Sequence, residues 1–286
     1  MIDYFIFLLY YMDMEKKVFV AERNDKLANL ITACGFSYNY AGKMIRNKDV
    51  KVDGVRVKDN INVLAGSEIT LFYEAIAKGS KCRIVFEDDN VVVVDKLSGV
   101  EVEGKDGLEG ELNAYAVHRL DRNTEGLMIL AKNKTAEAVL LKAFKEHSVE
   151  KRYLAEVVGA TNFKGEVYKA FLFKDKETAY VKVQATGGKG AQEIATGFKT
   201  LKSNPSSSIV ECRLLTGKTH QLRAHLKFLG HPIIGDGKYG KNEDNKKFKQ
   251  KHQQLYCYYL KFEKLDLPLR YLENKAFINY PEFYKK

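Results

Sequence analysis

The 286 residues predict an α+β protein with two parts: a large domain on a mainly antiparallel, mixed sheet, and a small α/β module in front of it. Three observations predict this. From Cys82 onward many short strand-like runs follow one another, and only two clear helical stripes interrupt them. Ahead of them stands a compact basic stretch of helix and hairpin signals. The expected divisions are an apolar leader over 1–14, the module over 15–74, a polar linker over 75–81 and the large domain over 82–286.

The leader holds Phe5 to Met12 (FIFLLYYM), bracketed by Asp3 and Asp13 with no Lys or Arg before it. A spanning helix needs about 20 apolar residues, and a signal peptide opens with positive charge. The run is therefore read as a misassigned upstream start or a short extra element, and no membrane anchor is expected. In the module, Leu27, Leu30 and Ile31 recur at helical spacing, as do Ala41, Met44 and Ile45. Val50 to Val57 alternates around Asp53-Gly54, a hairpin signal, and Glu68 to Phe72 adds a strand. Lys43, Arg46, Lys48, Lys51, Arg56 and Lys58 crowd this unit with positive charge.

In the large domain strands are expected at Val91–Val94, Gly126–Lys132, Arg152–Val158, Thr178–Gln184, Ile209–Leu215 and Tyr256–Phe262. Asn133 offers an N-cap to a helix whose stripe is Ala136, Val139, Leu140, Ala143 and Phe144. Thr219 offers another, to a helix that Gly230 ends, with Leu222, Leu226 and Leu229 as its core stripe. Lys241 to Lys251 (KNEDNKKFKQK) reads as a solvated charged loop.

Lys+Arg of 47 against Asp+Glu of 37 leaves a net charge of +10, which favours a polyanionic partner. Four separated cysteines, Cys34, Cys82, Cys212 and Cys257, give neither a zinc pattern nor a disulfide scaffold and suit a reducing cytosol. The spacing of His118, His220, His225 and His231 lacks an i, i+4 pair with an acidic partner, so no metal is expected. Gly187 to Gly190 lacks the order of a phosphate loop, and no G-x-S-x-G elbow is present.

Three clusters can carry chemistry. In Tyr115 to Gly126 (YAVHRLDRNTEG), Asp121 is flanked by Arg119 and Arg122 ahead of a buried strand. From spacing alone the favoured reading is a turn or salt-bridge residue. In Lys151 to Val157 (KRYLAEV), Tyr153 shares a strand face with Lys151, Ala155 and Val157. It is a core ring or one presented to a flat ligand. In Leu215 to Leu226 (LTGKTHQLRAHL), a loop of Gly217, Lys218 and Thr219 suits an anion, and His220 and Arg223 project together at i and i+3.

In order, HRLDRNTEGLMILAK, KRYLAEVVG and LLTGKTHQLRAHLKFLGHPIIGDGKYG resemble the three motifs of the RluA/RluD-type pseudouridine synthases, over roughly residues 82–262. The module resembles the alpha-L RNA-binding module of ribosomal proteins and RNA-modifying enzymes. It differs in Tyr38-Asn39, where a Ser-Arg pair is common, and in Lys48, where a glycine is common. The large domain differs at Leu97, Glu125 and Lys218, where Pro, Ser and Arg are usual.

The resemblance implies a pseudouridine synthase fold and the isomerisation of uridine in RNA, without cofactor or metal. It implies that Asp121 is the catalytic aspartate, that Tyr153 stacks on the target base and serves proton transfer, and that Arg223 holds Asp121 ionised and oriented. It further implies that Arg119 replaces the extruded nucleotide, with Arg122, Lys218, Thr219, His220, Lys43, Arg46 and Lys51 also on RNA. Leu120, Leu222 and Leu255 would line the pocket. The expected partner is large-subunit ribosomal RNA or its precursor, met by a cytoplasmic monomer. The competing readings are the same reaction on transfer RNA, and a non-catalytic RNA-binding or ribosome-assembly protein that retains the fold.

Overall fold

The computed structural model describes residues 14–34, 36, 38–74, 80–175 and 180–285. Residues 1–13 of the leader and 75–79 of the linker lie outside the described residues, as do 178 and 179 of one expected strand, while Met14 opens the first strand. The chain divides into two units, 1–87 and 88–286.

The first unit runs β1 (Met14–Val20), β2 (Asp25–Lys26), α1 (Leu27–Ala33), α2 (Tyr38–Arg46), β3 (Val50–Val52), β4 (Val55–Val57), β5 (Asn62–Val63), β6 (Glu68–Glu74) and β7 (Cys82–Glu87). An antiparallel sheet of order β1-β6-β3-β4 forms its floor. Leu27, Leu30 and Ile31 of α1 and Ala41, Met44 and Ile45 of α2 are buried with Val50, Ile69 and Leu71 of the sheet. The β3–β4 turn has Asp53 at φ 49° and Gly54 at φ 80°. Both are left-handed, the geometry that a two-residue hairpin turn demands. α2 ends through Lys48, at φ 62°.

The second unit runs β8 (Val91–Lys96), α3 (Leu108–Leu112), β9 (Tyr115–Ala116), β10 (Glu125–Ala131), α4 (Lys134–Lys145), β11 (Val149–Val158), β12 (Lys164–Lys174), β13 (Val181–Gln184), β14 (Gln192–Ser203), β15 (Ser207–Leu214), α5 (Gln221–Phe228), α6 (Asn242–Lys247), β16 (Leu255–Phe262), β17 (Ala276–Ile278) and α7 (Glu282–Lys285). Its sheet has the order β13-β12-β14-β15-β11-β16-β10-β8, with β9 beside β10 and β17 beside β16. The β10–β16 pair is parallel and its other pairs are antiparallel, so the sheet is mixed. All six residues of β8 are buried, which explains its unbroken apolar run.

β10 meets β16 at Gly126 opposite Cys257. Gly126 sits at φ 113°, and a Cβ there would come within 2.4 Å of the Cys257 carbonyl oxygen. Asn133 caps α4 by accepting the Ala136 amide at 2.9 Å.

Some expectations need correction. α5 starts at Gln221, not after a Thr219 cap, and the residue before it is His220 in left-handed geometry. No side chain caps its first turn; the Gln221 side chain instead holds the preceding loop by accepting the Lys218 amide at 3.1 Å. Leu229 is only partly buried, so the stripe ends at Leu226. The loop expected at 241–251 contains α6, because Asn245 braces the preceding turn: it accepts the Gly235 amide and donates to the Asp236 carbonyl. β12 and β14, the longest strands described, were not anticipated. The first four residues of β12 are exposed and carry no apolar alternation. Among the described residues, no helix is long and apolar enough to cross a membrane.

Candidate active site

Asp121 lies in the turn that leads into β10, and Arg223 lies on α5, 102 residues later. The Arg223 Nη1 donates to Asp121 Oδ2 at 2.8 Å. The rest of the guanidinium is committed to Asp236, with Nε donating to Oδ2 at 2.7 Å and Nη2 to Oδ1 at 3.0 Å. This is the two-pronged geometry in which Arg–carboxylate pairs are strongest. Asp236 has a fully buried side chain, whereas that of Asp121 is 20% exposed. Burial alone would pull Arg223 down and push Asp236 up. The hydrogen bonds and opposite charge between them prevail, so the Arg223 pKa is raised and that of Asp236 is held below its usual 3.8.

Asp236 is presented by a turn at Gly235, φ 79°, where a Cβ would come within 2.0 Å of the His252 carbonyl oxygen. Its Oδ1 also accepts the amides of Lys238 and Tyr239. The carboxylate that anchors Arg223 is therefore itself fixed from four directions.

His220 approaches Asp121 Oδ2 with Nε2 at 3.8 Å, while its Nδ1 lies 2.9 Å from the Tyr239 hydroxyl. The Tyr239 hydroxyl accepts the Val181 amide. Burial lowers the His220 pKa, partly opposed by Asp121. Its left-handed backbone, φ 55°, is uncommon for a residue with a side chain and aims the ring into the site.

A cavity of about 150 Å³ opens at this cluster. That volume accepts a single six-membered ring in an apolar protein interior. Leu120, Asp121, Lys151, Tyr153, His220, Leu222, Arg223 and Leu255 line it, with Arg119, Lys218 and Thr219. Tyr153 is buried in β11 beside the Cys257 sulfur, at a register shift between Arg152 and Tyr153. Burial pushes its phenol well above the usual 10.0, so it stays protonated at neutral pH.

The other expected RNA contacts are scattered. Arg119 is exposed and 3.7 Å from Glu103. Arg122 is not among the cavity's lining; its Nε donates to the Gly99 carbonyl at 3.1 Å. In the first unit Lys51 stands directly opposite Arg56 across the hairpin, and Arg46 is exposed at the end of α2. Lys43 lies on α2, and its side chain is outside the described residues.

The four histidines do not converge. His118 stacks on Phe144, His225 bonds Thr196, and His231 lies 3.0 Å from the Val158 carbonyl. Among the described residues no group of three or more His, Cys, Asp or Glu could hold a metal.

Asp236, Tyr239, Gln221 and Lys96 were missed as site residues. Lys96 is fully buried at the end of β8 and donates to the carbonyls of Leu97, Val100 and Arg122 at 2.8–2.9 Å. It thereby ties the loop after Asp121 to the sheet. Burial lowers its pKa to about 8. The only sequence signal was a lysine closing a buried valine strand.

Against this geometry, a family profile described as RNA pseudouridylate synthase matches residues 90–228. The ribosomal large subunit pseudouridine synthase C of Vibrio vulnificus is 31% identical, over 69% of this chain and 70% of its own. The chain belongs to the RNA pseudouridylate synthase family. It is an isomerase acting on RNA. A second relative in the family, the uncharacterized RNA pseudouridine synthase YlyB of Bacillus subtilis, is 30% identical over 77% of this chain and 80% of its own. The human RNA pseudouridylate synthase domain containing 1 protein shares the fold, with a TM-score of 0.58 at 24% identity over 72% of this chain and 94% of that one. The mixed sheet with few helices is the α+β architecture of this family.

Proposed function

We propose that this synthase isomerises one or a few uridines of large-subunit ribosomal RNA, as a cytoplasmic monomer, with Asp121 as the catalytic group. The observation that carries the reading is the juxtaposition of an Arg223-held Asp121 with a buried tyrosine around a cavity of one ring's volume. The large-subunit substrate follows the printed name of the Vibrio vulnificus relative and the basic first unit.

A uracil inside a duplex cannot reach such a cavity, so the nucleotide must be flipped out, at a cost of a few kcal/mol. Phosphate contacts from the basic surface offset that cost. Arg223 occupies Asp121 Oδ2, and among the described residues Oδ1 has no hydrogen-bond donor. That oxygen acts on the ribose, by attack at C1′ or by removal of the C2′ proton. Either route breaks the N1–C1′ bond with its electron pair on N1. The base turns, C5 bonds to C1′, the C5 proton is lost and N1 gains one. Atoms and electrons balance without a redox partner, so the reaction demands no cofactor or metal. Tyr153, held as a phenol, supplies its ring to the base.

The test maps pseudouridine in total RNA through carbodiimide adducts that stop reverse transcription, comparing wild type with a strain carrying only Asp121→Asn protein. One or a few large-subunit stops should vanish in the mutant. Loss of stops in transfer RNA alone would replace the substrate, and survival of every stop would overturn the catalytic assignment.

A further inference from the structure

We propose that Lys151 is a further catalytic residue, whose ammonium pairs with the uracil ring when that ring departs from the ribose as an anion. The inference rests on the function proposed above. Lys151 precedes Tyr153 by two residues on β11, and both side chains line the cavity with Asp121.

The cations around this cavity differ in how they are occupied. Arg223 is committed to two carboxylates. Arg119 and Lys218 are exposed. Lys151 is more enclosed than either, and among the described residues its ammonium makes no hydrogen bond and no ion pair with a carboxylate. Its neighbours carry no negative charge. Phe144 presents its ring at 5.3 Å. His118 is stacked on that ring and accepts the Ile129 amide on Nε2, and burial holds it neutral. Burial also keeps the Cys257 thiol protonated, with a pKa of about 12, and Tyr153 stays a phenol.

A cation enclosed without a counter-charge is costly, and burial lowers the Lys151 pKa accordingly. An anion formed inside the cavity removes that cost, so the interaction is stronger in the transition state than in the ground state. Breaking N1–C1′ creates such an anion, whichever way Asp121 acts. In the covalent route an Asp121–C1′ bond forms and later breaks as C5 attacks. In the other, the C2′ proton goes to Asp121 and returns. Lys151 remains an ammonium throughout, and the proton lost from C5 is matched by the one gained at N1.

The experiment measures single-turnover consumption of uridine and of 5-fluorouridine in large-subunit RNA transcripts, by nuclease digestion and chromatography, alongside the RNA Kd. Fluorine stabilises the departing anion by itself, so the demand for the lysine is smaller. Lys151→Met should slow uridine about 100-fold, the scale of one removed transition-state charge partner, and slow 5-fluorouridine clearly less, with Kd within about threefold. Lys151→Arg should recover part of the loss, and Lys151→Gln is the neutral variant to use if the Met protein does not fold. Equal losses on both substrates, a weakened Kd that accounts for the loss, or no loss would overturn the proposal. Asp121→Asn separates the two claims. If it consumes both substrates at the wild-type rate, or if wild type consumes neither in ribosomal or transfer RNA, the underlying reading fails, and this inference with it.

Discussion

At the cavity Asp121 and Arg223 hold each other, and Asp236, buried behind Arg223, accepts four hydrogen bonds. On the hairpin of the first unit, Lys51 and Arg56 face each other across the strands and share the ring of Phe72, at 5.6 and 5.1 Å. Like charges directly opposite on a sheet are destabilising. One region surrounds its charges so that hydrogen bonds hold each carboxylate in one geometry. The other sets two like charges across from each other, with Arg56 also donating to the Lys48 carbonyl, on a hairpin where a phosphate would meet both. The first arrangement suits bond-making and the second suits affinity, and substitutions in the two should separate accordingly.

The largest effect is expected where the enclosed region is cut. Asp236→Asn leaves Arg223 buried with half its counter-charge and should cost about 3–5 kcal/mol of stability, the range for one lost partner of a buried pair. Activity should fall with it, because Arg223 no longer holds Asp121 Oδ2 in place. The sign with pH is set by the lowered pKa of Asp236. Its contribution is complete above the unfolded value of 3.8 and is lost as pH falls below it. Denaturant unfolding should therefore show the wild-type advantage over the variant at pH 7, shrinking toward pH 3. An advantage that does not change between those pH values would remove the ion pair as its source.

Substitution in the basic region should act on binding instead. Arg46→Ala with Lys51→Ala should raise the RNA Kd about tenfold at low salt and reduce the slope of log K against log salt by about 2, one for each phosphate contact. The single-turnover rate at saturating RNA should stay within about twofold. An unchanged salt slope would mean that these two side chains do not meet phosphate.

The same contrast explains what could be read from the sequence. The hairpin was legible because its cause is local: Asp53 and Gly54 adopt the two left-handed positions themselves. The helical stripes of α1 and α2 and the Asn133 cap are local for the same reason. Asp121, Tyr153 and Arg223 stood out through motif resemblance, and the structure brings them to one cavity. Their support did not stand out. Arg223 and Asp236 meet across a turn whose path depends on Gly235 and Asn245, and Lys96 reaches a carbonyl 26 residues away. No periodicity or propensity encodes such contacts. β12 escaped notice because its first half faces solvent and has no apolar alternation to detect.

The smallest effect tests the first unit alone. Lys48 takes φ 62° as α2 ends, with its amide on the Ile45 carbonyl and the Asp49 amide on the Met44 carbonyl. A side chain in that conformation costs roughly 1–2 kcal/mol, which glycine avoids. Glycine also has more freedom to lose on folding, so the net gain for Lys48→Gly should be about 1 kcal/mol. The lysine retained at this position is one of the module's cations, exposed beside Arg46. If the basic region trades stability for affinity, Lys48→Gly should stabilise the protein toward denaturant while weakening RNA binding about two- to threefold, a shift of well under 1 kcal/mol. Stabilisation without any change in Kd would confine the lysine to a local backbone cost, and the trade would then rest on the Lys51–Arg56 pair alone.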